Sequence, residues 1–367
     1  MRKIKVGVVG CGCISDIYLT NLKSMFSNIE LVGCADLIQE RATEKAQKYE
    51  IKSYPNDNRC AAIYEDKEIE IIVNLTTPLD HVEVSLRALE YGKHVHGEKP
   101  LAVNREDAKK IIELAKTKGL MVGCAPDTFL GGGLQTCRKL IDDGWIGTPV
   151  ALTAFMTCHG HESWHPDPEF YYKVGAGPML DMGPYYVTAL VSLLGPIKRV
   201  TGSTKITYSE RTITSEKKFG DKIKVEIPTH VAGIIDFENG AIGTLITSFD
   251  VWDAHLPSIE IYGSEGSLSV PDPNTFGGPV LVKRANQKEW MEIPLSHNFS
   301  DNSRGIGVAD MANAIRSERK NRASGELGYH VLDVMLGFQD ASESGLHYNL
   351  MSTCEKPEAL EMDVKFE

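Results

Sequence analysis

The sequence predicts an α/β fold class in two parts, a doubly wound parallel sheet followed by an α+β domain with an antiparallel sheet. The chain has 367 residues, which is about the length of two ordinary domains. From residue 1 to about 125, short apolar runs alternate with amphipathic stretches, as in strand–helix–strand units. Beyond residue 150 the apolar runs follow one another across short turns, which is typical of antiparallel strands. We therefore place the domains at residues 1–125 and 126–367.

The first domain is predicted from apolar runs that lack polar alternation, as expected for strands covered on both faces. The predicted strands are Ile4–Val9, Leu31–Ala35, Ile69–Leu75, His94–His96 and Met121–Cys124. The helices predicted between them are Glu40–Tyr49, His81–Tyr91 and Glu106–Lys118. In the last helix apolar residues recur at helical spacing, and Gly119 supplies a stop. Right-handed crossovers between such strands produce a parallel sheet.

The second domain begins with a predicted helix at Leu134–Asp143 and continues with strands. The predicted strands are Val150–Met156, Val200–Tyr208, His230–Glu238, Ala241–Phe249 and Ile259–Tyr262. Asn239-Gly240 lies between two of them and is a strong hairpin signal. A single helix is predicted at Met179–Leu194. Helical periodicity returns at Val308–Ser344, and we expect the helices of residues 307–345 to pack back on the rest.

The charge balance argues against nucleic acid as a partner. Lys and Arg total 39 against 50 Asp and Glu, which gives a formal net charge of −11. Such an acidic surface repels phosphate backbones, and no Lys/Arg-rich run offers a local exception. No apolar run approaches the ~18 residues that a membrane helix needs. We therefore expect neither nucleic acid nor a membrane among the partners.

The cysteines and the N-terminus predict a cytoplasmic protein. The eight Cys are scattered, without the spacing of zinc ligands or of a disulfide framework, so most are expected to be small buried side chains. The first residues lead directly into an alternating apolar strand. Because a long apolar segment and a small-residue cleavage site are both missing there, no signal peptide is predicted.

A glycine-rich turn between the first strand and the first helix predicts a dinucleotide site. Gly10 suits the tight turn, Gly12 lets the backbone approach a pyrophosphate closely, and the start of the helix offers N–H groups to phosphate. Asp36 ends the next strand, 24 residues after Gly12, where a carboxylate accepts hydrogen bonds from ribose hydroxyls and repels a 2′-phosphate. We therefore predict NAD rather than NADP as the cofactor. The further cofactor contacts predicted in this region are Cys13, Ile14 and Arg41.

These residues and three further motifs resemble the glucose–fructose oxidoreductase/inositol dehydrogenase (Gfo/Idh/MocA) family. The motifs are Thr76-Thr77-Pro78 followed by His81, Gly92-Lys93-His94-Val95-His96-Gly97-Glu98-Lys99-Pro100 and Gly175-Ala176-Gly177-Pro178-Met179-Leu180-Asp181-Met182-Gly183-Pro184-Tyr185. The similarity continues through residues 237–243 and 262–266, so it spans nearly the whole chain. The resemblance implies a Rossmann domain followed by a domain with a large, predominantly antiparallel open sheet. It also implies NAD(P)-dependent chemistry on sugars and polyols, and a homo-oligomer formed through that sheet.

Lys99 is the main catalytic residue that the resemblance implies. Its position follows a strand at the carboxyl edge of the sheet, where ligands of such folds collect. Outside this context it would be taken for a solvated surface lysine, whereas in the family it contacts the reacting hydroxyl of the substrate. Glu98 is expected to orient the lysine or the nicotinamide amide. The cofactor contacts implied by the resemblance are Thr76, Thr77, Pro78, His81, Glu98 and Lys99.

Asp181 and Tyr185 are the other predicted catalytic residues. They lie four residues apart at the start of a predicted helix, so both can face one pocket. The family usually has a catalytic His at position 185, and Tyr occurs there in its glucose–fructose oxidoreductase and dihydrodiol dehydrogenase branches. A phenol has an ordinary pKa near ~10 and needs a nearby cation such as Lys99 to accept a proton. Two roles for Tyr185 stay open, as a proton shuttle or as a substrate-binding residue only.

A cluster of His and Trp in residues 159–168 is predicted to line the site, because no apolar periodicity places it in a core. Trp164 suits stacking on a sugar face or on nicotinamide, and His159, His161 and His165 suit hydrogen bonds to hydroxyls. A metal on the first two histidines is an alternative, but hydride transfer to NAD requires none, so we predict no metal site. Asp127 is expected either to reach the substrate or to cap a helix.

The sequence therefore predicts an NAD-dependent oxidoreductase that oxidises a secondary hydroxyl of a sugar, glycoside or polyol, with C3 of a glucoside among the leading candidates. The hydroxyl would lose its proton to Lys99 and Tyr185 while its carbon delivers hydride to nicotinamide C4. One alternative is a redox-neutral glycosidase that oxidises the sugar transiently and recycles NAD. A second is a non-catalytic NAD-binding protein.

Overall fold

The structure, a computed structural model, describes residues 2–367 and divides the chain into two compact units. The first unit consists of Met1–Gly131, His297–Tyr329 and Leu360–Glu367. The second consists of Gly132–Ser296 and His330–Ala359. The first unit thus includes two segments from the C-terminal part of the chain, which the sequence alone assigns to the second domain.

Strands and helices alternate through the N-terminal part of the first unit. The elements are β1 (Ile4–Val9), α1 (Ser15–Ser24), β2 (Ile29–Ala35), α2 (Gln39–Tyr49), β3 (Lys52–Ser53), α3 (Ala61–Glu65), β4 (Ile71–Asn74), α4 (His81–Glu90), β5 (His94–Gly97), α5 (Arg105–Lys118) and β6 (Val122–Cys124). The six strands that the described chain places here are parallel and lie in the order β3-β2-β1-β4-β5-β6. The predicted doubly wound sheet is confirmed. Ligands of such sheets bind outside the carboxyl ends of the strands where the order reverses, which here is beside β1.

The second unit is built on a mixed, predominantly antiparallel sheet. Its elements are α6 (Gly132–Asp142), β7 (Pro149–Thr157), α7 (Gly177–Asp181), α8 (Gly183–Leu194), β8 (Ile197–Lys205), β9 (Glu210–Thr212), β10 (Lys222–Lys224), β11 (His230–Phe237), β12 (Ile242–Ser248), β13 (Ile259–Gly263), β14 (Gly266–Val270), β15 (Val280–Arg284), β16 (Met291–Ile293) and β17 (Tyr348–Asn349). Within residues 2–367 the sheet order is β16-β15-β14-β13-β7-β12-β11-β8-β17, and β7 with β12 is its parallel pair. The hairpin predicted at Asn239-Gly240 is confirmed, since β11 and β12 pair antiparallel.

The C-terminal helical region is divided into α9 (Ile306–Ser317) and α10 (Gly325–Ser344). The division follows Glu318, whose left-handed φ of 53° ends α9. Within the first unit, the Nδ2 atom of Asn28 donates hydrogen bonds to Ala309 O at 2.9 Å and to Asn313 Oδ1 at 2.8 Å. These bonds tie α9 to the turn that precedes β2.

One face of the large sheet is covered by helices of its own unit. Gly202 of β8 and Gly233 of β11 lie opposite each other, and the ring of Phe338 from α10 packs against both. A methyl group at Gly202 would lie 2.9 Å from the Phe338 ring. Because the two glycines have no side chain, α10 can approach β8 and β11 closely. Every residue of α8 is buried as well.

The opposite face of the central strands contains a partly exposed group of large apolar side chains. Ile242 and Ile246 of β12 and Ile234 of β11 lie on this face, and Ile246 is paired with Phe155 of β7. Ile242 is 53% exposed and Ile234 is 43% exposed. We call the surface formed by these four residues the open sheet face.

The cysteines of the described chain lie mostly in its interior. All eight Cys are free thiols in the described chain, and most are buried. Burial raises the pKa of the Cys124 thiol. None of the helices in residues 2–367 combines the length and the apolar character needed to cross a membrane.

A buried histidine in the first unit makes the stability of the fold dependent on pH. His96 of β5 is fully buried against Gly123 and Gly307, and neither of its ring nitrogens has a hydrogen-bond partner in the described chain. Burial lowers the pKa of His96 from its ordinary value of 6.5 to about 4. Between these two values the unfolded chain binds a proton that the folded chain does not, so stability falls as the pH falls. Asp127 acts in the opposite direction, because burial raises its pKa to about 6.

Replacement of His96 by leucine is therefore expected to flatten the dependence of unfolding free energy on pH. Between pH 7 and pH 5 the free energy of unfolding should fall by about 2 kcal/mol more in wild type than in His96→Leu, since the variant has no buried imidazole to take up a proton on unfolding. Urea unfolding at both pH values measures the difference, and the exposed His347→Leu serves as control. Equal losses in wild type and His96→Leu would contradict the assignment.

Candidate active site

The turn after β1 has the geometry that close approach of a ligand requires. Gly10 has a φ of +100°, and a methyl group there would lie 2.6 Å from the carbonyl carbon of Leu75. Gly12 is different, because an added methyl group would meet nothing within 4 Å. Ser15, the first residue of α1, donates a hydrogen bond from Oγ to Gly12 O at 2.6 Å. Gly10 is thus needed by the fold, whereas Gly12 leaves open space at the start of a helix.

Asp36 is held beside this turn by backbone hydrogen bonds. It follows the end of β2, and its Oδ2 accepts a hydrogen bond from the N–H of Cys11 at 2.7 Å. Its Oδ1 accepts a hydrogen bond from the N–H of Ile38 at 2.8 Å. Cys13 and Ile14 are exposed in the turn, and Arg41 is exposed in the first turn of α2. The open space at Gly12, the helix N-terminus and the oriented carboxylate together fit a dinucleotide with a free ribose 2′-hydroxyl.

The Asp36 carboxylate is expected to set the preference for NAD over NADP. In Asp36→Asn the negative charge is lost while one oxygen remains to accept a backbone hydrogen bond. The ratio of NADPH to NADH dissociation constants should fall by about 10-fold or more, because the repulsion of a 2′-phosphate is removed. Fluorescence titration with both cofactors measures the ratio, with the exposed Glu113→Gln of α5 as control. An unchanged ratio would show that Asp36 does not face the ribose.

Glu98 and Lys99 follow β5, at the same carboxyl edge of the sheet. Tyr18 of α1 donates a hydrogen bond from its hydroxyl to Glu98 Oε1 at 2.7 Å, and Glu98 Oε2 accepts one from the N–H of Lys99 at 3.1 Å. Burial and the nearby Glu98 carboxylate raise the pKa of Tyr18, so the phenol stays a donor. The side chain of Lys99 is half-buried. The sequence pattern does not predict this role for Tyr18, which lies one helical turn beyond Ser15.

The ring of His81 lies between two loops at this edge of the sheet. It is 1% exposed, with Nδ1 2.7 Å from Pro100 O and Nε2 3.1 Å from Thr76 O. Burial lowers the pKa of His81, and a neutral imidazole has one N–H to donate to these carbonyls. Thr76 is also held by Asn74, whose Oδ1 accepts the Thr76 hydroxyl at 2.6 Å. Thr77 is exposed and Pro78 half-buried in the same loop.

Asp127 caps a helix that is distant in sequence. It is 1% exposed, and its Oδ2 accepts hydrogen bonds from the N–H groups of Gly305 at 2.8 Å and Gly307 at 3.0 Å. These groups begin α9, so the carboxylate lies at the positive end of that helix. The short 3₁₀ helix that directly follows it, Thr128–Leu130, receives no side-chain cap from it.

In the second unit, the His- and Trp-containing loop is anchored by a buried ion network. Arg211 donates to Glu162 Oε1 at 2.5 Å, to Phe249 O at 2.7 Å and to Asp250. The Tyr172 hydroxyl donates to the other oxygen of Glu162. Burial and the same carboxylate raise the pKa of Tyr172. Glu162 is therefore fixed from two sides, which fixes the loop that contains it.

The aromatic members of this loop differ in exposure. Trp164 is 62% exposed, whereas the ring of His161 is buried beside it with centroids 5.3 Å apart. His159 stacks on the exposed Trp252 at 3.3 Å between ring centroids. The carbonyl of His165 accepts a hydrogen bond from the Ser215 hydroxyl at 2.8 Å. In the part of the chain that the structure describes, no group of three His, Cys, Asp or Glu is arranged to hold a metal ion.

The helix predicted at Met179–Leu194 is wrong in one respect, since it is broken at Met182 into α7 and α8. Pro184 has no N–H for the carbonyl four residues earlier, so one continuous helix is interrupted there. Asp181 ends α7 and is half-buried, and its Oδ2 is 3.5 Å from His161 Nε2. Tyr185 is buried in the first turn of α8.

Two family models match the chain. Residues 4–125 match the oxidoreductase family with an NAD-binding Rossmann fold, and residues 134–269 match the GFO/IDH/MocA C-terminal domain. The chain belongs to the GFO/IDH/MocA family. The predicted resemblance is confirmed, and so is NAD as the cofactor that the Rossmann domain of this oxidoreductase family binds.

Individual GFO/IDH/MocA relatives act on sugars and polyols according to their names. The chain is similar to D-glucoside 3-dehydrogenase of Escherichia coli (strain K12), at 23% identity over 95% of this chain and 97% of that protein. It is 31% identical to inositol 2-dehydrogenase of Salmonella paratyphi B over 41% of this chain, and this match spans only 44% of that relative's length. The solved structure of levoglucosan dehydrogenase with NADH and L-sorbose has a TM-score of 0.82 at 21% identity, covering 96% of this chain and 100% of that one. This last likeness confirms the fold.

Proposed function

We propose that the protein is an NAD-dependent dehydrogenase that oxidises a secondary hydroxyl of a sugar, glycoside or polyol. The observation that carries the proposal is the joint presence of both GFO/IDH/MocA domains, shared over 95% of the chain with a D-glucoside 3-dehydrogenase. That relative makes C3 of a glucoside the first position to test. The exposed Trp164 supports a sugar ring as ligand, because aromatic faces stack on the C–H surfaces of such rings.

We propose Lys99, Tyr185 and Asp181 as the residues that act on the reacting hydroxyl. NAD supplies the acceptor for the hydride that leaves the carbon. The lysine amine is the proton acceptor, and its place directly after Glu98 supports this role, because Tyr18 and Glu98 fix the backbone at that point. Asp181 accepts a hydrogen bond from a substrate hydroxyl, and Tyr185 relays the proton or binds the substrate.

A panel of sugars, methyl glycosides and inositols, each supplied with NAD⁺, tests the proposal. We expect NADH absorbance to rise with at least one of them and a keto product to accumulate in equal amount. Cleavage of glycosides without net NADH would favour the redox-neutral glycosidase instead. Tight NADH binding with neither reaction across the panel would favour a non-catalytic NAD-binding protein.

We further propose a cytoplasmic homo-oligomer formed through the open sheet face. Partly exposed isoleucines on paired strands support this, because an apolar sheet surface of this kind is commonly covered by a partner. Ile242→Arg is expected to lower the molar mass in solution to that of a smaller assembly or a monomer, since a desolvated charge is costly in an interface. Light scattering after size exclusion measures it, with Met25→Arg in the first unit as control. An unchanged mass in Ile242→Arg would exclude this face.

A further inference from the structure

The strongest unassigned feature is the imidazole of His161 in the second unit. Its ring is enclosed by Tyr171 at 3.8 Å, Phe249 at 4.7 Å and Trp164 at 5.3 Å between centroids. Its Nε2 lies 3.5 Å from Asp181 Oδ2, and its buried Nδ1 has no hydrogen-bond partner in the described residues. A buried polar ring in an aromatic enclosure, with one nitrogen directed at a carboxylate, is costly unless that contact is used.

The loop that carries His161 is fixed independently of that contact. The next residue, Glu162, is held through its side chain by Arg211 and Tyr172. Its backbone carbonyl accepts hydrogen bonds from the N–H groups of Thr214 at 2.9 Å and Ser215 at 2.8 Å. The position of the imidazole is therefore set before any ligand arrives, as a positioning role requires.

The charges around the loop leave the imidazole as a donor directed at Asp181. Arg211, the buried cation of this region, is engaged by the two carboxylates Glu162 and Asp250. The Nε2 atom of His161 lies 3.5 Å from Oδ2 of Asp181. The distance of 3.5 Å is longer than a formed hydrogen bond, and such contacts often tighten when substrate binds.

We propose that His161 is a positioning residue, which donates a hydrogen bond from Nε2–H to Oδ2 of Asp181 and so fixes the orientation of that carboxylate for a substrate hydroxyl. Nδ1 is then the unprotonated nitrogen, in agreement with its lack of an acceptor. The catalytic consequence rests on the proposed function, whereas the pairing itself does not. This chain has Tyr185 where the family usually has a histidine. The imidazole near Asp181 comes instead from His161, in the loop of residues 159–168.

Two variants of His161 separate hydrogen bonding from packing. Phe keeps an aromatic ring in the enclosure but has no N–H, and Gln has an amide N–H but no ring. If the donated hydrogen bond matters, His161→Phe should lower kcat by about 30-fold with little change in KM, and His161→Gln should stay within about 5-fold of wild type. NADH affinity should be unchanged in both. The reverse ranking would assign His161 to packing and overturn the proposal.

A double-variant comparison tests whether His161 acts through Asp181. Asp181→Asn alone should lower kcat/KM by about 100-fold, and adding His161→Phe should cost less than about 2-fold more, because the carboxylate to be positioned is gone. Multiplicative losses would show that the two side chains act separately and would overturn the proposal.

Long-range ¹H–¹⁵N spectra of the holoenzyme with NADH bound test the pairing without any substrate. We expect His161 as the Nε2–H tautomer, with resonances that move in Asp181→Asn. An Nδ1–H tautomer whose resonances do not move in Asp181→Asn would overturn the pairing. If wild type oxidises nothing in the panel while this signature is present, the proposed function fails and the pairing stands.

Discussion

Replacement of Lys99 by methionine is expected to lower kcat for oxidation of the best substrate by about 10³-fold. The variant keeps most of the length of the side chain and removes the amine that would accept the proton. NADH affinity should change by less than about 3-fold, since the glycine turn and Asp36 supply the dinucleotide contacts. Single-turnover kinetics and fluorescence titration measure the two quantities.

Lys109→Met is the matched control for Lys99→Met. Lys109 is an exposed lysine of α5 in the same unit, and its Nζ lies 3.7 Å from Glu113 Oε1 on the helix surface. Its removal should leave kcat within about 2-fold of wild type, because exposed ion pairs contribute little. Full activity in Lys99→Met would remove the lysine from the reaction and favour another proton acceptor.

Substitutions of the two glycines in the turn after β1 are expected to have different effects. Gly12→Val should weaken NADH binding by about 100-fold or more without lowering the melting temperature, because its side chain fills space that only a ligand would occupy. Gly10→Ala should destabilise the fold by about 2 kcal/mol or more, since it has a φ of +100° and its methyl group would meet the Leu75 carbonyl. Thermal unfolding and NADH titration of both variants separate the effects.

The opposite results would contradict this assignment of the turn. If Gly12→Val bound NADH as tightly as wild type, the pyrophosphate would not lie against the turn. If Gly10→Ala were as stable as wild type, the close approach to the loop after β4 would not be required. Neither result depends on knowing the substrate.

The regular elements of the fold are predictable because they are long and strongly patterned. β1 is predicted with its observed bounds, and α5 differs by one residue at its start. The predictions miss β3, which has two residues, and α3, which has five, because such short segments have too few residues for a period to show. The break at Met182 was missed because the apolar pattern continues through Gly183-Pro184.

The site is predictable where one short motif carries it, and not where distant segments meet. Gly10, Gly12 and Asp36 lie together as a strand–turn–helix pattern implies. The hydrogen bond of Tyr18 to Glu98 joins residues 80 positions apart, and no local pattern reports it. The same holds for Arg211 on Glu162, which comes from a short strand that the sequence pattern did not predict.

The most direct test of the proposed dehydrogenase reaction follows the hydrogen of the reacting carbon. A substrate that reduces NAD⁺ in the panel is deuterated at the carbon that becomes the ketone, and the products are examined by mass spectrometry. Direct hydride transfer predicts one deuterium in NADH for each keto product formed, and none in the solvent. Deuterium released to water with unlabelled NADH would contradict direct hydride transfer from a secondary alcohol.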